Sequence, residues 1–137
     1  MKHKTSLVFI EQAVMLLILA VAAALCLRVF AWSDTRATEN HSKDQALLQL
    51  QSAAEVLKHH HGDFAAAAQT HGGSVHNDTW QIPFDSTWKQ SDTTQTYLLR
   101  AVWQDTGSYL GSARLEITDC NGIVLESLTV CWQEASP

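Results

Sequence analysis

The chain is poor in basic residues and lacks the short motifs of common catalytic sites. Nine Lys and Arg residues stand against fourteen Asp and Glu residues, the formal net charge is −5, and the cations form no stripe. Nucleic-acid binding needs clustered cations that neutralise phosphates, so this class of function has no electrostatic support. The sequence also lacks a nucleophile elbow and a glycine-rich phosphate loop, and we expect neither enzymatic activity nor a cofactor.

The three cysteines do not form a disulfide framework. Cys26 lies inside a long apolar run, which leaves Cys120 and Cys131 as the remaining pair. Asn121-Gly122 predicts a two-residue hairpin turn between them. That turn would place the two sulfur atoms near opposite ends of the hairpin, too far apart to bridge.

The most distinctive feature present is the apolar run near the amino end. From Leu7 to Leu27 it covers 21 residues, about 31 Å as a helix, which is enough to cross the core of a bilayer. Glu11 interrupts the run one turn from its start. An ionised carboxylate at that depth costs a few kcal/mol and requires a partner or a function. We predict a transmembrane helix over residues 7–32.

The residues that flank the run predict its orientation. Lys2, His3 and Lys4 precede it without an acidic neighbour. Short basic flanks stay in the cytoplasm, so we expect a cytoplasmic amino end and an extracytoplasmic region over residues 33–137. Arg28 weakens this asymmetry slightly.

The helix is expected to continue beyond the membrane over residues 33–61. No Gly or Pro occurs from Ser33 to Lys58, and residues 33–45 are polar on every side, which suits a solvated spacer. Farther along, apolar residues recur at helical spacings of three and four. This stripe consists of Ala46, Leu47, Leu50, Ala53, Ala54 and Leu57. Gly62 is expected to stop the helix, and a break inside the polar stretch stays open.

Residues 62–137 predict a short helix followed by an antiparallel β-meander of three to four strands. Asp63 is expected to cap a helix from Phe64 to His71, which Gly72-Gly73 terminates. The strand patterns cover residues 80–84, 96–104, 112–119 and 123–132. Pro83 places the first of these strands towards a sheet edge.

Turns connect these strands and set their register. A further turn is expected at residues 105–108, from Asp105 to Ser108. The Asn121-Gly122 turn predicts four cross-strand pairs, which are Cys120 with Ile123, Leu115 with Leu128, Ala113 with Val130 and Ser112 with Cys131. The predicted fold class is α+β, with a long amino-terminal helix packed on a small antiparallel sheet.

The amino end resembles the type IV pilin and pseudopilin superfamily, by motif over residues 2–32 and by architecture alone over residues 33–137. In that family a prepilin peptidase cuts after a short basic leader, and the new chain carries Glu at its fifth position. The resemblance implies a leader over residues 1–6, cleavage between Ser6 and Leu7, and Glu11 as the fifth residue. Ser6 replaces the usual Gly or Ala, and calcium-loop features are missing, which favours a minor or divergent member.

The resemblance also implies a function and partners. It implies a non-enzymatic subunit of a type IV pilus, type II secretion or competence filament in the bacterial cell membrane. The implied partners are prepilin peptidase, other pilin-like subunits, an inner-membrane assembly platform and membrane lipid. In a filament, the Glu11 carboxylate would pair with the Leu7 amine of a neighbouring subunit, which would offset the cost of both charges in an apolar medium.

Other interpretations of the amino end stay open. Glu11 can lie in the headgroup zone if the true span is residues 13–32, with Trp32 as an interfacial anchor. A lipoprotein signal needs a small residue directly before its cysteine, and it is disfavoured because Leu25 precedes Cys26. A secretory signal would be cut just before Trp32. The main alternative function is a binding or sensing domain outside the cell, held by an uncleaved anchor.

Histidine and tryptophan are the remaining candidates for a site. The consecutive histidines 59–61 point about 100° apart on a helix, so they cannot converge on one ion. Only His60 or His61 could bind an ion together with His71. We expect the histidines to form a solvated helix end without a metal. Trp80, Trp88 and Trp103 are expected as core or edge aromatics, with a ligand-stacking platform as the alternative.

Overall fold

A computed structural model of the chain describes residues 2–105 and 109–134. Its elements are α1 (Lys2–His59), α2 (Phe64–His71), β1 (Ser74–His76), β2 (Thr79–Phe84), β3 (Tyr97–Gln104), β4 (Leu110–Asp119) and β5 (Val124–Gln133). The strands form one antiparallel sheet in the order β1-β2-β3-β4-β5. The predicted α+β class is confirmed. The chain divides into two compact units, Met1–His41 and Ser42–Pro137.

The first unit consists of the amino-terminal part of α1. Every side chain from residue 3 to residue 41 is exposed. By length and composition this helix can cross a membrane, a property that a secretory signal shares. The most apolar part of this helix is not buried inside the protein. An exposed apolar surface of this size is typical of a segment that contacts lipid or another protein.

The second unit has one hydrophobic core between α1 and one face of the sheet. The helix contributes Ala46, Leu50, Ala53, Ala54 and Leu57, and the sheet contributes Trp80, Ile82, Phe84, Leu99, Ala101, Ala113, Leu115, Ile117, Val130 and Trp132. The predicted stripe is therefore confirmed except at Leu47, which is 39% exposed. Leu47 is offset by about 100° from Ala46 and lies at the margin of the stripe.

Helix α1 ends at His59, two residues before the predicted bound of 61. The Gly62 amide donates to the Leu57 carbonyl at 2.9 Å, and the His61 amide donates to the Lys58 carbonyl at 3.1 Å. These are the two hydrogen bonds of a Schellman motif. His61 takes the first left-handed position with φ +49°, and Gly62 follows at φ +83°. Gly62 is thus the second residue of the stop, and a histidine is the first.

Helix α2 forms as predicted. The Asp63 carboxylate accepts hydrogen bonds from the amides of Ala65 and Ala66 at 2.9 and 3.1 Å. These are orphan donors of the first turn, so the carboxylate is an N-cap. Gly72 ends the helix, with φ +95° and its amide bonded to the Ala68 carbonyl.

Within residues 2–105 and 109–134 the sheet has five strands, not the predicted three to four, because sequence reasoning missed β1. The missed strand has only three residues and pairs with β2 from Ser74↔Gln81 to His76↔Thr79. Asn77 and Asp78 connect the two strands with φ of +49° and +57°. Positive φ at both central residues defines a type I′ turn.

Strand β2 is not an edge strand, since it lies between β1 and β3. The expectation from Pro83 was wrong about the strand but right about the local environment. Strand β1 begins opposite Gln81 and does not reach Pro83, which pairs with Leu98 of β3 and whose carbonyl accepts a hydrogen bond from the Ser91 amide at 3.1 Å. The missing amide of proline therefore costs no ladder hydrogen bond on the outer side.

The β4–β5 hairpin has the predicted register over most of its length but not the predicted turn. The Gly122 amide donates to the Asp119 carbonyl, and the Asp119 amide donates to the Ile123 carbonyl, each at 3.0 Å. The loop therefore has three residues, 120–122, and only Gly122 in it has positive φ. The predicted pairing of Cys120 with Ile123 is wrong.

A β-bulge restores the register beyond this loop. The three-residue loop shifts the strand pairing by one position. The register then changes between Ile117 and Thr118 of β4, where Leu125 is an extra residue in β5, and this bulge shifts the pairing back. The pairs Leu115↔Leu128, Ala113↔Val130 and Ser112↔Cys131 are consequently confirmed. The strands begin and end within two residues of the predicted bounds. The expected turn at 105–108 falls on residues 106–108, which lie outside the described residues.

Candidate functional site

The predicted cleavage and assembly residues lie on the exposed helix of the first unit. Ser6, Leu7 and Glu11 are all exposed on α1. Leu7 and Glu11 are four residues apart, so their side chains share one face of the helix. Glu11 has no hydrogen bond or ion pair with any residue that the structure describes.

The surroundings of Glu11 are apolar. Its neighbours on the same face, Val8, Val14 and Met15, are all exposed hydrophobic residues. From residue 5 to residue 27, Glu11 is the only charged side chain. A carboxylate in this setting can accept a hydrogen bond or pair with a cation, and the apolar side chains can pack against lipid or other apolar helices.

An aromatic residue marks the far end of the apolar segment. The Arg36 guanidinium lies 4.8 Å from the centroid of the Trp32 ring. This is a cation–π contact on one helix face, since the two residues are four apart. Trp and Arg are both typical of the boundary between lipid and water.

The histidines do not come together as a metal site. His60 Nε2 lies 2.9 Å from Thr70 Oγ1, a contact between the end of α1 and α2. His71 instead packs edge-on against Trp80, with ring centroids 6.2 Å apart, and burial lowers the pKa of its imidazole. Within residues 2–105 and 109–134, no three His, Cys, Asp or Glu side chains could hold a metal ion.

Of the three strand-associated tryptophans, two are structural. Trp80 is fully buried and donates from its indole nitrogen to the Gly72 carbonyl at 3.0 Å. Trp88 stacks on Tyr97, with centroids 4.2 Å apart and an interplanar angle of 7°. Both contacts confirm the expectation of core or edge aromatics.

Trp103 differs, because 43% of it is exposed. It makes an edge contact with Trp132 at 5.1 Å between centroids and lines an open groove of about 540 Å³. The groove also contains Phe64, Asp63 and Asp78. Sequence reasoning singled out Asp63 only as a helix cap, and it did not single out Asp78. The sequence signal that could have indicated the groove was the position of Trp103. It lies on the core-facing side of its strand but close to the end of the strand, where the core face reaches the rim of the sheet.

The cysteines Cys26, Cys120 and Cys131 are all free and exposed. Cys131 lies opposite Ser112 on β4, whereas Cys120 lies in the hairpin loop at the other end of the strands. This separation agrees with the expectation that the two thiols cannot bridge within one chain.

Comparison of the chain with models of known protein families, with curated proteins and with solved structures finds no match.

Proposed function

We propose that the protein is a pilin-like filament subunit, anchored and assembled through the apolar segment of α1. The observation that carries the proposal is the exposed segment from Leu7 to Leu27, whose single charge is Glu11. A membrane anchor needs the apolar surface but not the carboxylate, which costs a few kcal/mol in lipid. A filament subunit would use both the apolar surface and the carboxylate. The apolar helices could pack in many registers, and an ion pair made by the carboxylate would favour one of them.

The proposal includes processing and partners. A prepilin peptidase would cut between Ser6 and Leu7 and leave an ammonium group at Leu7, four residues from Glu11. The amino end would face the bacterial cytoplasm and the sheet would lie outside the cell, as Lys2 and Lys4 favour. Other pilin-like subunits and an inner-membrane assembly platform complete the proposed set of partners, and the filament belongs to a pilus, secretion or competence system.

Processing provides the first test. The full chain is co-expressed with a prepilin peptidase, and its intact mass and amino-terminal sequence are measured. We expect a mature chain that begins at Leu7, and Ser6→Gly should speed its appearance. A chain that retains Met1 would contradict the filament proposal, and a chain that begins at Trp32 would identify a secretory signal instead.

Assembly provides the second test, with Glu11→Ala as the variant and Glu39→Ala as its control. Both remove one exposed acid from α1, but Glu39 lies outside the apolar segment. Glu11→Ala should insert into the membrane normally, yet it should fail to enter filaments, because a buried amine without its partner costs about 3–5 kcal/mol. The measurement is recovery in sheared or cross-linked filaments relative to the membrane level. Normal incorporation of Glu11→Ala would refute the pairing.

A second candidate function is a binding domain held outside the cell by an uncleaved anchor. The open groove beside Trp103 favours it, because concave surfaces lined by aromatic side chains and a few polar groups are typical of binding sites. Such a protein would keep its first six residues, and Glu11→Ala would leave its behaviour unchanged. The two tests above therefore separate the candidates.

A further inference from the structure

The groove beside Trp103 is built from three parts of the second unit that are distant in sequence. Asp63, Phe64 and Ala65 come from the start of α2, Val75 and Asp78 from β1 and its turn, and Trp103 from the end of β3. The groove has a volume of about 540 Å³ and opens to solvent. Phe64 is buried and packs against Trp103 at 5.9 Å between centroids, so the aromatic wall is fixed in place.

The charge of the groove has one sign. Of the described residues that line it, Asp63 and Asp78 are acidic and none is basic. Asp63 uses Oδ1 for both hydrogen bonds to the first turn of α2, which leaves Oδ2 without a partner among the described residues. Asp78 is exposed and makes no hydrogen bond or ion pair with them.

The backbone does not require these charges. Asn caps a helix as well as Asp does, and Asn is at least as common as Asp at the positive φ of a type I′ turn. Asp78, with φ +57°, therefore gains no local advantage from its carboxylate. The positive amino end of α2 would repel a bound cation. This repulsion is reduced because the Asp63 carboxylate already accepts hydrogen bonds from two free amides at that end of the helix.

We propose that this groove receives an arginine or lysine side chain from a partner polypeptide. The cationic group would lie over the exposed indole of Trp103 and pair with Asp63 and Asp78. The aliphatic stem of such a side chain suits the apolar wall formed by Phe64 and Val75. Small-molecule sites bury most of their ligand, whereas this open groove would leave a free cation largely in water. A side chain presented by a protein surface fits it better.

The test uses the full chain, labelled with 5-fluorotryptophan, in micelles of an uncharged detergent. The five tryptophans give separate fluorine NMR resonances, and Trp103→Phe assigns the one of interest. The probe is an acetylated, amidated glycine peptide with one central arginine. Its control replaces arginine with citrulline, which has nearly the same shape and no charge.

We expect the arginine peptide to shift the Trp103 resonance saturably while the resonance of buried Trp80 stays in place. The citrulline peptide should produce no saturable shift. The double variant Asp63→Asn, Asp78→Asn keeps the cap and the turn, and it should weaken binding about threefold to tenfold. Asp92→Asn removes an exposed acid elsewhere and should leave binding unchanged.

Two kinds of outcome would overturn the proposal. Equal shifts with arginine and citrulline, or equal affinities for the double variant and the unmodified chain, would show that charge does not direct binding. Saturation by choline at lower concentration than by the arginine peptide would assign the groove to a small cation and not to a side chain of a polypeptide. Neither outcome depends on filament assembly, so the result is independent of the proposed function.

Discussion

The contact between α1 and the sheet can be tested with two leucines that are neighbours on one helix. Leu50 is 0% exposed and belongs to the core, whereas Leu48, two residues earlier, is 56% exposed. Both occupy the same helix and have the same propensity, so Leu50→Ala and Leu48→Ala differ only in what each side chain contacts. The pair isolates packing from helix stability.

The expected magnitude follows from burial. Leu→Ala removes three carbons, worth about 0.8 kcal/mol each on transfer from water, and the remaining cavity raises the total to about 3–4 kcal/mol. For a unit of about 100 residues, each kcal/mol lowers Tm by about 4–8 °C, so Leu50→Ala should lower Tm by at least about 12 °C. Leu48→Ala should stay within about 0.5 kcal/mol of the unmodified chain.

The assay is thermal unfolding of the full chain in detergent, followed by near-ultraviolet circular dichroism. This signal reports on the buried aromatics Trp80 and Trp132, and the helical signal of the apolar segment does not contribute to it. If Leu50→Ala does not fold, Leu50→Val removes less volume and should lower Tm by a smaller, measurable amount. Equal effects at Leu48 and Leu50 would refute the assignment of the stripe to the core.

Three further predictions concern the second unit. Burial lowers the pKa of His71 in the folded protein, so below about pH 6.5 the unfolded chain binds more protons than the folded one. The contribution of His71 to the free energy of unfolding should therefore be complete above about pH 6.5 and decline as the pH falls below it. The variant His71→Phe should flatten this part of the plot of stability against pH, and an unchanged slope would contradict the assignment. Gly111→Ala would place a Cβ 2.3 Å from the Trp132 indole nitrogen, so urea denaturation should show a loss of about 1–3 kcal/mol, with Ser127→Ala as a neutral control. Reducing agent should leave Tm unchanged in a melting experiment, because Cys120 and Cys131 are both free; a clear decrease would indicate a bond between them.

The short helix and the long strands were predictable because their signals are local. Asp63, the alanines that follow it and Gly72 specify a start, a body and an end within ten residues. Strand β3 shows the same kind of local signal, since Leu99 and Ala101 are buried and Arg100 between them is exposed. Strand β1 was missed because three residues are too few to show a period, and Asn77-Asp78 is a weaker turn signal than Asn-Gly.

The β4–β5 hairpin shows a different limit, in which a correct register followed from an incorrect turn. Asn121-Gly122 suggested two loop residues, but the Asp119 carboxylate accepts from the amides of Asn121 and Ile123 at 2.9 and 2.8 Å and holds a three-residue loop. The bulge at Leu125 then restores the pairing that places Leu115 opposite Leu128. The pattern of buried residues fixes the register of a strand pair more strongly than its turn does, since a slip of one position would expose the whole apolar face.

The two candidate sites differ in how far sequence could reveal them. Ser6, Leu7 and Glu11 are recognisable without a structure because their setting, an exposed apolar helix, is a property of the local sequence. The groove is not, since Asp63, Asp78 and Trp103 are far apart in the chain and meet only when the sheet folds over α2.

The two units require different surroundings, and this difference narrows the range of functions. Ser42–Pro137 buries its own core and exposes polar side chains such as Arg100 and Arg114 on the outer face of the sheet, so it can fold in water. The apolar window of the first unit is not buried within the protein, and lipid or other apolar helices are surroundings that suit such side chains. Lipid alone would be satisfied by a segment without Glu11. The proposed subunit and a simple anchor therefore differ in what they require of the Glu11 carboxylate, and substitution of this one residue tests between them.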